Sequence, residues 1–268
     1  MREMPEDIGG NSRNWSGGVL LWDEQALFIG RAADTTPHES PAIKICVSLK
    51  DDFYLLTDVH EDWKPYSSAI IAPGQYHAID GRDREMAMLI TVPEAEMARP
   101  LNHLFDHSGI TKLSEKTVDS IRDLFKRLDA PTDADDEVCT RMTELIANDV
   151  GAADNQTFDP RVAKSIAWIR EGREHGVSVK EIAAGVDLSE SRLSHLFSEH
   201  VRVPVRRYLL WLRLRDAIHM LAHGGSLTET AYEAGFSDSA HLTRTFRTML
   251  GIAPSSLIKE SSLRSFLE

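Results

Sequence analysis

Two stretches of this chain repeat one scheme, offset by 48 to 49 residues: a short helical period, a tight turn and a second helical period. The first, Val179–His200, reads VKEIAAGVDLSESRLSHLFSEH. Val179, Ile182 and Ala183 share one helix face. Gly185 breaks that helix, Leu188 packs at the turn, and Ser189 is a good N-cap for the helix that follows. Leu193, Leu196 and Phe197 are its inward face. The second stretch, Leu227–Leu250, reads LTETAYEAGFSDSAHLTRTFRTML. Here Leu227, Thr230 and Ala231 lead, Gly235 turns, Phe236 stands where Leu188 stood, and Leu242, Thr245 and Phe246 face inward. Ala183 and Ala231 are small because two helices cross closely there. One extra residue falls in the second turn. This is the helix-turn-helix pattern, present twice. Pro204–Ala222 between the copies predicts a spacer helix that carries Arg206, Arg207, Arg213 and Arg215, some placed to touch phosphates.

A helix-turn-helix lays its second helix in the DNA major groove and reads bases with the face opposite the buried one. In the first copy that face holds Ser191, Arg192, Ser194, His195 and Ser198. Residues from about 160 to 260 resemble the DNA-binding domain of the AraC family of bacterial transcription regulators. The resemblance is carried by SESRLSHLF at Ser189–Phe197, PVRRYLLWLRL at Pro204–Leu214, AYEAGF at Ala231–Phe236 and SDSAHLTRTFRTMLGIAP at Ser237–Pro254. It points to Ser191, Ser194 and His195 in the first copy as base-contacting positions, and to Ser239, Ala240, Thr243 and Arg244 in the second, with His241 and Arg247 beside them. Arg244 stands out, because a guanidinium fork pairs bidentately with guanine O6 and N7. Arg202 departs from the pattern, which usually has glycine after the first recognition helix.

The front of the chain has a different texture. A polar lead, residues 1–14, precedes short apolar runs at Gly18–Trp22, Ala26–Ile29, Ile43–Leu49, Phe53–Thr57, Ala69–Ala72 and Met86–Val92, broken by Gly, Pro and Asp clusters. Short strands at this spacing predict a sandwich or barrel over 15–95. The period then changes to helical. Val118, Ile121, Leu124, Phe125 and Leu128 predict an amphipathic helix over 114–128. Val138, Met142, Leu145 and Ile146 predict another over 133–148, with Asp133 as its cap. The expected layout is therefore α+β: a β-rich domain, a helical segment over 96–150, a small polar linker at 151–159 (GAADNQTFD over 151–159), and an all-α domain over 160–260 opened by a helix at Arg161–His175.

The β-rich half is similar to the cupin-like sensor domain at the N-terminus of many AraC-type regulators, on the strength of His38 and of IIAPGQYH at Ile70–His77. That resemblance implies a small-molecule effector. His38, His77, Trp22, Tyr54, Trp63 and Tyr66 are candidate pocket residues, with Phe53 and Tyr76 further aromatic candidates, though each aromatic serves equally well as core. A cupin metal site needs an HxH pair, and Glu39 and Ser40 follow His38, so two imidazoles alone leave too few ligands and no metal is expected. The two amphipathic helices resemble the pair such regulators use to form homodimers. The alternative is that they only cover the barrel.

Charge supports two jobs. The chain of 268 residues carries a net charge of −12, yet residues 160–268 hold 15 Lys and Arg against 12 Asp and Glu, whereas 1–159 hold 15 against 30. Two cysteines, Cys46 and Cys139, form no CxxC pair, which argues against a zinc ribbon or a disulfide scaffold. No signal peptide opens the chain and no run is long and apolar enough to span a bilayer, so a cytoplasmic protein without membrane partners is expected. No HExxH or GxSxG spacing occurs, and no catalytic residue or cofactor is expected. The reading is a sequence-specific transcription regulator. Its partners would be double-stranded operator or promoter DNA, a small effector, a second copy of itself and RNA polymerase. A metal-dependent cupin enzyme fused to a DNA-binding domain is the rival, and a ligand-independent architectural protein is another.

Overall fold

Alternation of apolar residues in the front half builds two facing sheets. The structure is a computed structural model that describes residues 15–81, 84–106, 109–130, 133–151, 158–172, 177–258 and 261–265. The polar lead 1–14 and the linker residues 152–157 lie outside the described residues. The strands are β1 (Ser16–Leu21), β2 (Gln25–Ala32), β3 (His38–Glu39), β4 (Ile43–Ser48), β5 (Phe53–Leu56), β6 (Lys64–Tyr66), β7 (Ser68–Ile71), β8 (Tyr76–Asp80), β9 (Arg84–Thr91), β10 (Ile110–Thr111) and β11 (Ser261–Ser265). Seven form a sheet in the order β10-β7-β4-β9-β2-β1-β11, and four form a second in the order β3-β8-β5-β6.

Period-2 patterning decides which side chain goes where. On the large sheet Leu27, Ile29, Ile43, Ile45, Val47 and Leu89 face outward, onto helices. Phe28, Cys46, Ile71 and Met88 face inward, toward Phe53, Leu55 and Ile79 of the small sheet. Every residue of β4 is buried, since both its faces are covered. Phe28 and Cys46 both pair with Met88 across the ladder, which fixes the register of the three central strands. Trp15 meets Phe28 edge to face at 4.6 Å.

A 3-10 helix (Glu96–Asp106) leads to α1 (Glu115–Phe125) and α2 (Asp136–Val150). Their apolar stripes, Val118, Ile121 and Phe125 on α1 and Val138, Met142 and Ile146 on α2, are buried against the outer face of the large sheet. The cap of α2 differs from the expected one. Asp135 accepts the Val138 N–H at 3.0 Å, while Asp133 accepts the Ala130 N–H in the preceding turn. Asp135 stands directly before the first helical residue, which is where a cap must be.

The helical half comprises α3 (Pro160–Glu171), α4 (Val179–Gly185), α5 (Glu190–Val201), α6 (Val205–Ala222), α7 (Leu227–Glu233), α8 (Ser239–Leu250) and α9 (Pro254–Ile258). The helix expected over Arg161–His175 ends at Glu171; residues 173–176 lie outside the described residues. The overall class is α+β, a sheet-rich unit followed by a helical unit carrying two helix-turn-helix motifs. The chain then returns: β11 pairs in parallel with β1 on the edge of the large sheet.

Candidate nucleic-acid interface and effector cavity

Each helix-turn-helix is closed by the same bond. The Leu188 N–H donates to the Ala183 carbonyl at 2.9 Å, and the Phe236 N–H to the Ala231 carbonyl at 2.8 Å. Asp187 (φ 56°) and Gly235 (φ 76°) hold equivalent left-handed positions. Gly185 therefore plays another part than that of turn residue. It ends α4 where a Cβ would lie 2.6 Å from the Trp168 indole nitrogen, so glycine there admits α3. The extra residue of the second copy lies before its cap: Ser189 caps α5 directly after Leu188, whereas Ser237 separates Phe236 from the cap Asp238. Arg202, the departure from glycine, takes the left-handed conformation itself (φ 64°).

The inward residues of both recognition helices are core. Leu193, Leu196, Phe197, Leu242, Thr245 and Phe246 are all buried. Opposite them, Ser191, Arg192 and His195 on α5 and Ala240, Arg244 and Arg247 on α8 are exposed, while Ser194, Ser239 and Thr243 are half-buried. The Thr243 hydroxyl donates to the Ser239 carbonyl at 2.8 Å, and His195 lies 4.0 Å from Glu199. The half-buried His241 is occupied at the start of α8, where its N–H meets Asp238 at 2.6 Å and its ring meets the edge of Phe236. Each copy therefore gathers its own outward candidates on one helix face.

The helical unit is bolted to the sheets. Arg207 donates to the Glu39 carboxylate at 2.6 Å and to the Glu39 carbonyl at 2.8 Å. Arg215 contacts Asp23, and Arg170 contacts Glu24 and approaches Glu94 at 3.8 Å. The Tyr208 hydroxyl donates to Glu94, a carboxyl that burial holds above its ordinary range. The end of α8 is tied as well. The Thr36 N–H donates to the Gly251 carbonyl at 2.9 Å. Gly251 is left-handed (φ 75°), and a Cβ on it would meet the Thr36 carbonyl oxygen at 2.7 Å.

Between the two units lies an apolar cavity of about 100 Å³. Trp15, Phe28 and Met88 line it from the sheets, Trp211, Ile218 and Leu250 from the helices, and Trp22, Lys44 and Arg215 also border it. Of the expected pocket residues, Trp22 lines it. His38 and His77 are cross-strand partners, buried, and stand against Lys44. The others lie elsewhere. The half-buried Trp63 precedes β6, Tyr54 lies under Arg84, and Tyr66 lies under Lys112, with Phe53 stacked beside it. Among the described residues no group of three or more His, Cys, Asp or Glu comes together as a metal site.

Lys44 escaped the sequence reading. It is 2 % exposed, and burial pushes its amine down to about 7. A signal was present, because a lysine inside the apolar run Ile43–Val47 of a strand covered on both faces has nowhere wet to go. Burial also holds the His38 and His77 imidazoles far below their ordinary range and lifts the Cys46 thiol to about 12.

Comparisons with known proteins agree with this architecture. A family described as "Helix-turn-helix domain" matches residues 173–260. The transcriptional activator RhaS of Escherichia fergusonii is 31 % identical over 153 residues, which cover 53 % of this chain and 55 % of that protein. RhaS of Salmonella arizonae is 34 % identical over 105 residues, 39 % of this chain and 37 % of its own length. The chain thus spans about half the length, or less, of these relatives. Among solved structures, an apo variant of ToxT from Vibrio cholerae superposes with a TM-score of 0.61 at 10 % identity, covering 88 % of this chain and 97 % of ToxT. Wild-type ToxT described as bound to an unsaturated fatty acid gives 0.54 at 12 %, covering 91 % and 95 %. These two show a shared fold across both units. No helix of the described residues is long and apolar enough to cross a membrane. The doubled motif coincides with the family match over 173–260, so this part of the chain is a helix-turn-helix domain, and the chain is similar to the RhaS activators over the lengths given.

Proposed function

We propose that this protein is a sequence-specific DNA-binding regulator of transcription whose sheet-rich unit senses a small apolar effector. The observation that carries the proposal is the placement of the two recognition helices: each buries its apolar face and leaves Ser191, Arg192, His195 or Ala240, Arg244, Arg247 exposed. Arginine and the small hydroxyl residues then contact bases and phosphates in two successive major grooves. The half-sites need not be palindromic, because the two helices carry different side chains.

The cavity lies where an effector would bias the DNA-binding unit, since its walls come from both units. A guest that fits only one arrangement of α6 and α8 against the sheets shifts the protein toward it by its difference in affinity for the two. One ToxT structure is described as bound to a fatty acid; the lining here likewise suits an apolar guest, of smaller size.

Contact with RNA polymerase and pairing of two copies through α1 and α2 belong to the same proposal. The stripes of those helices are spent on the sheet, so their free faces offer Lys116, Asp119, Asp123, Arg141 and Glu144. A dimer made there is polar and salt-sensitive. The test is a titration of the full chain, at fixed salt, against genomic fragments it retains and against scrambled DNA. A ratio of about a thousandfold or more supports the proposal. Equal affinity for both overturns it.

A further inference from the structure

The buried lysine on the cavity wall lacks the partner that a buried charge requires. Among the described residues no carboxylate pairs with Lys44, and an unpaired ammonium in an apolar interior costs several kcal/mol. Its Nζ meets two imidazole nitrogens instead, His38 Nε2 and, at 3.2 Å, His77 Nε2. The tautomers of both rings follow from their other contacts. His38 Nδ1 lies 2.8 Å from the Thr36 carbonyl oxygen and His77 Nδ1 lies 2.8 Å from the Gln75 carbonyl oxygen. A carbonyl only accepts, so each Nδ1 carries the proton and each Nε2 presents a lone pair. Lys44 is therefore the donor to both. A neutral amine has two N–H bonds, and the two imidazoles take both. What remains on nitrogen is its own lone pair, on a residue that lines an apolar cavity.

We propose that Lys44 captures a small apolar aldehyde in this cavity as a reversible imine, so that the cavity is a carbonyl-sensing site; this rests on the cavity being the effector site. The amine lone pair attacks the carbonyl carbon and the C=O π pair moves to oxygen. A proton passes from nitrogen to that oxygen, giving a carbinolamine. The C–O bond then breaks, and its oxygen leaves as water with a second proton from nitrogen. One amine and one aldehyde become one imine and one water, with no oxidant or reductant. A neutral lysine in a desolvated pocket is the usual form of an imine-forming amine, and the lowered position of the Lys44 amine, about 7, agrees with it. The neighbouring Cys46 does not compete, because its thiol is held protonated, near 12. The apolar walls limit the water that reaches the imine once formed.

The test uses the full chain at pH 7 with butyraldehyde and cyanoborohydride, followed by peptide mass mapping and, on the same samples, DNA titration. The expected result is alkylation of Lys44 at least tenfold faster than of the exposed Lys116 and Lys126, and protection of Lys44 by toluene, which fills the cavity without reacting. An ordinary lysine, with a pKa near 10.4, presents under about 0.1 % free amine at that pH. The variant Lys44→Met is expected to lose the label; should it not fold, the toluene protection on the natural chain decides alone. An unmodified Lys44 beside labelled Lys116 and Lys126 overturns the proposal, as does butyrate raising Tm with no aldehyde adduct, which marks a carboxylate site. Lys44 labelled with DNA affinity unchanged supports the carbonyl site and overturns the cavity's role as effector site. DNA affinity shifted by butyraldehyde in Lys44→Met overturns the imine and leaves the effector site standing.

Discussion

Arg244 carries the sharpest residue-level consequence. It is exposed on the free face of α8, opposite the buried Leu242, Thr245 and Phe246. Its replacement by alanine removes a fork without disturbing the core. Arg244→Ala is expected to weaken binding to the preferred site by about 1–3 kcal/mol and to relax preference at one base pair. A fixed-salt titration against the site and its single-base variants checks this; unchanged affinity with unchanged preference removes Arg244 from base reading. The histidine pair gives a pH consequence. His38 and His77 are held neutral by burial, so their folded pKa values are depressed. The unfolded chain binds a proton at each below about 6.5, while the folded chain does not until far more acid pH. Stability from this pair is thus complete above about 6.5 and is lost as pH falls below it, by up to about 1.4 kcal/mol per pH unit for each histidine. Urea unfolding at pH 7, 6 and 5 should show the midpoint falling. A flat profile would contradict the buried neutral pair.

At the scale of the element, each recognition helix begins at a defined cap. Asp238 accepts the His241 N–H at 2.6 Å, and Ser189 accepts the Arg192 N–H at 3.2 Å. Asp238→Ala is expected to cost about 1 kcal/mol, read as a lower urea midpoint with m unchanged. A change under a few tenths would show that α8 is held by packing alone. These two helices were legible in the sequence because their contacts are local: Leu193, Leu196 and Phe197 recur at three- and four-residue steps, and Leu242, Thr245 and Phe246 repeat them. The longer strands were legible in the same way, as β4 and β9 were within one or two residues. β3 was not, since two residues carry no period. β11 was not either, because its partner β1 lies at the other end of the chain. The Lys44 cluster failed to show for the same reason: it depends on β3 pairing with β8 and on β4 facing them from the other sheet. Tyr54, Trp63 and Tyr66 were candidates on aromatic character alone, whereas the cavity is walled from the helical unit by Trp211, Ile218 and Leu250, which sequence distance hides.

For the whole molecule, the sheet-rich and helical units share one seam of ion pairs, a buried tyrosine–carboxyl contact and an apolar cavity. The seam includes Arg207, on the spacer helix that joins the two motifs, and the Gly251 cap of the second recognition helix. On the proposed function, a guest in the cavity bears on α6 and on the end of α8, which supply its helical wall. On the same proposal, the recognition helices α5 and α8 read DNA together from one frame. DNase footprinting of the full chain on a retained genomic fragment tests it most directly. Two protected segments on one face of the duplex are expected, their centres about 10 base pairs apart, with Arg244→Ala weakening only one of them. Protection confined to a single groove, or none on any fragment, would contradict it.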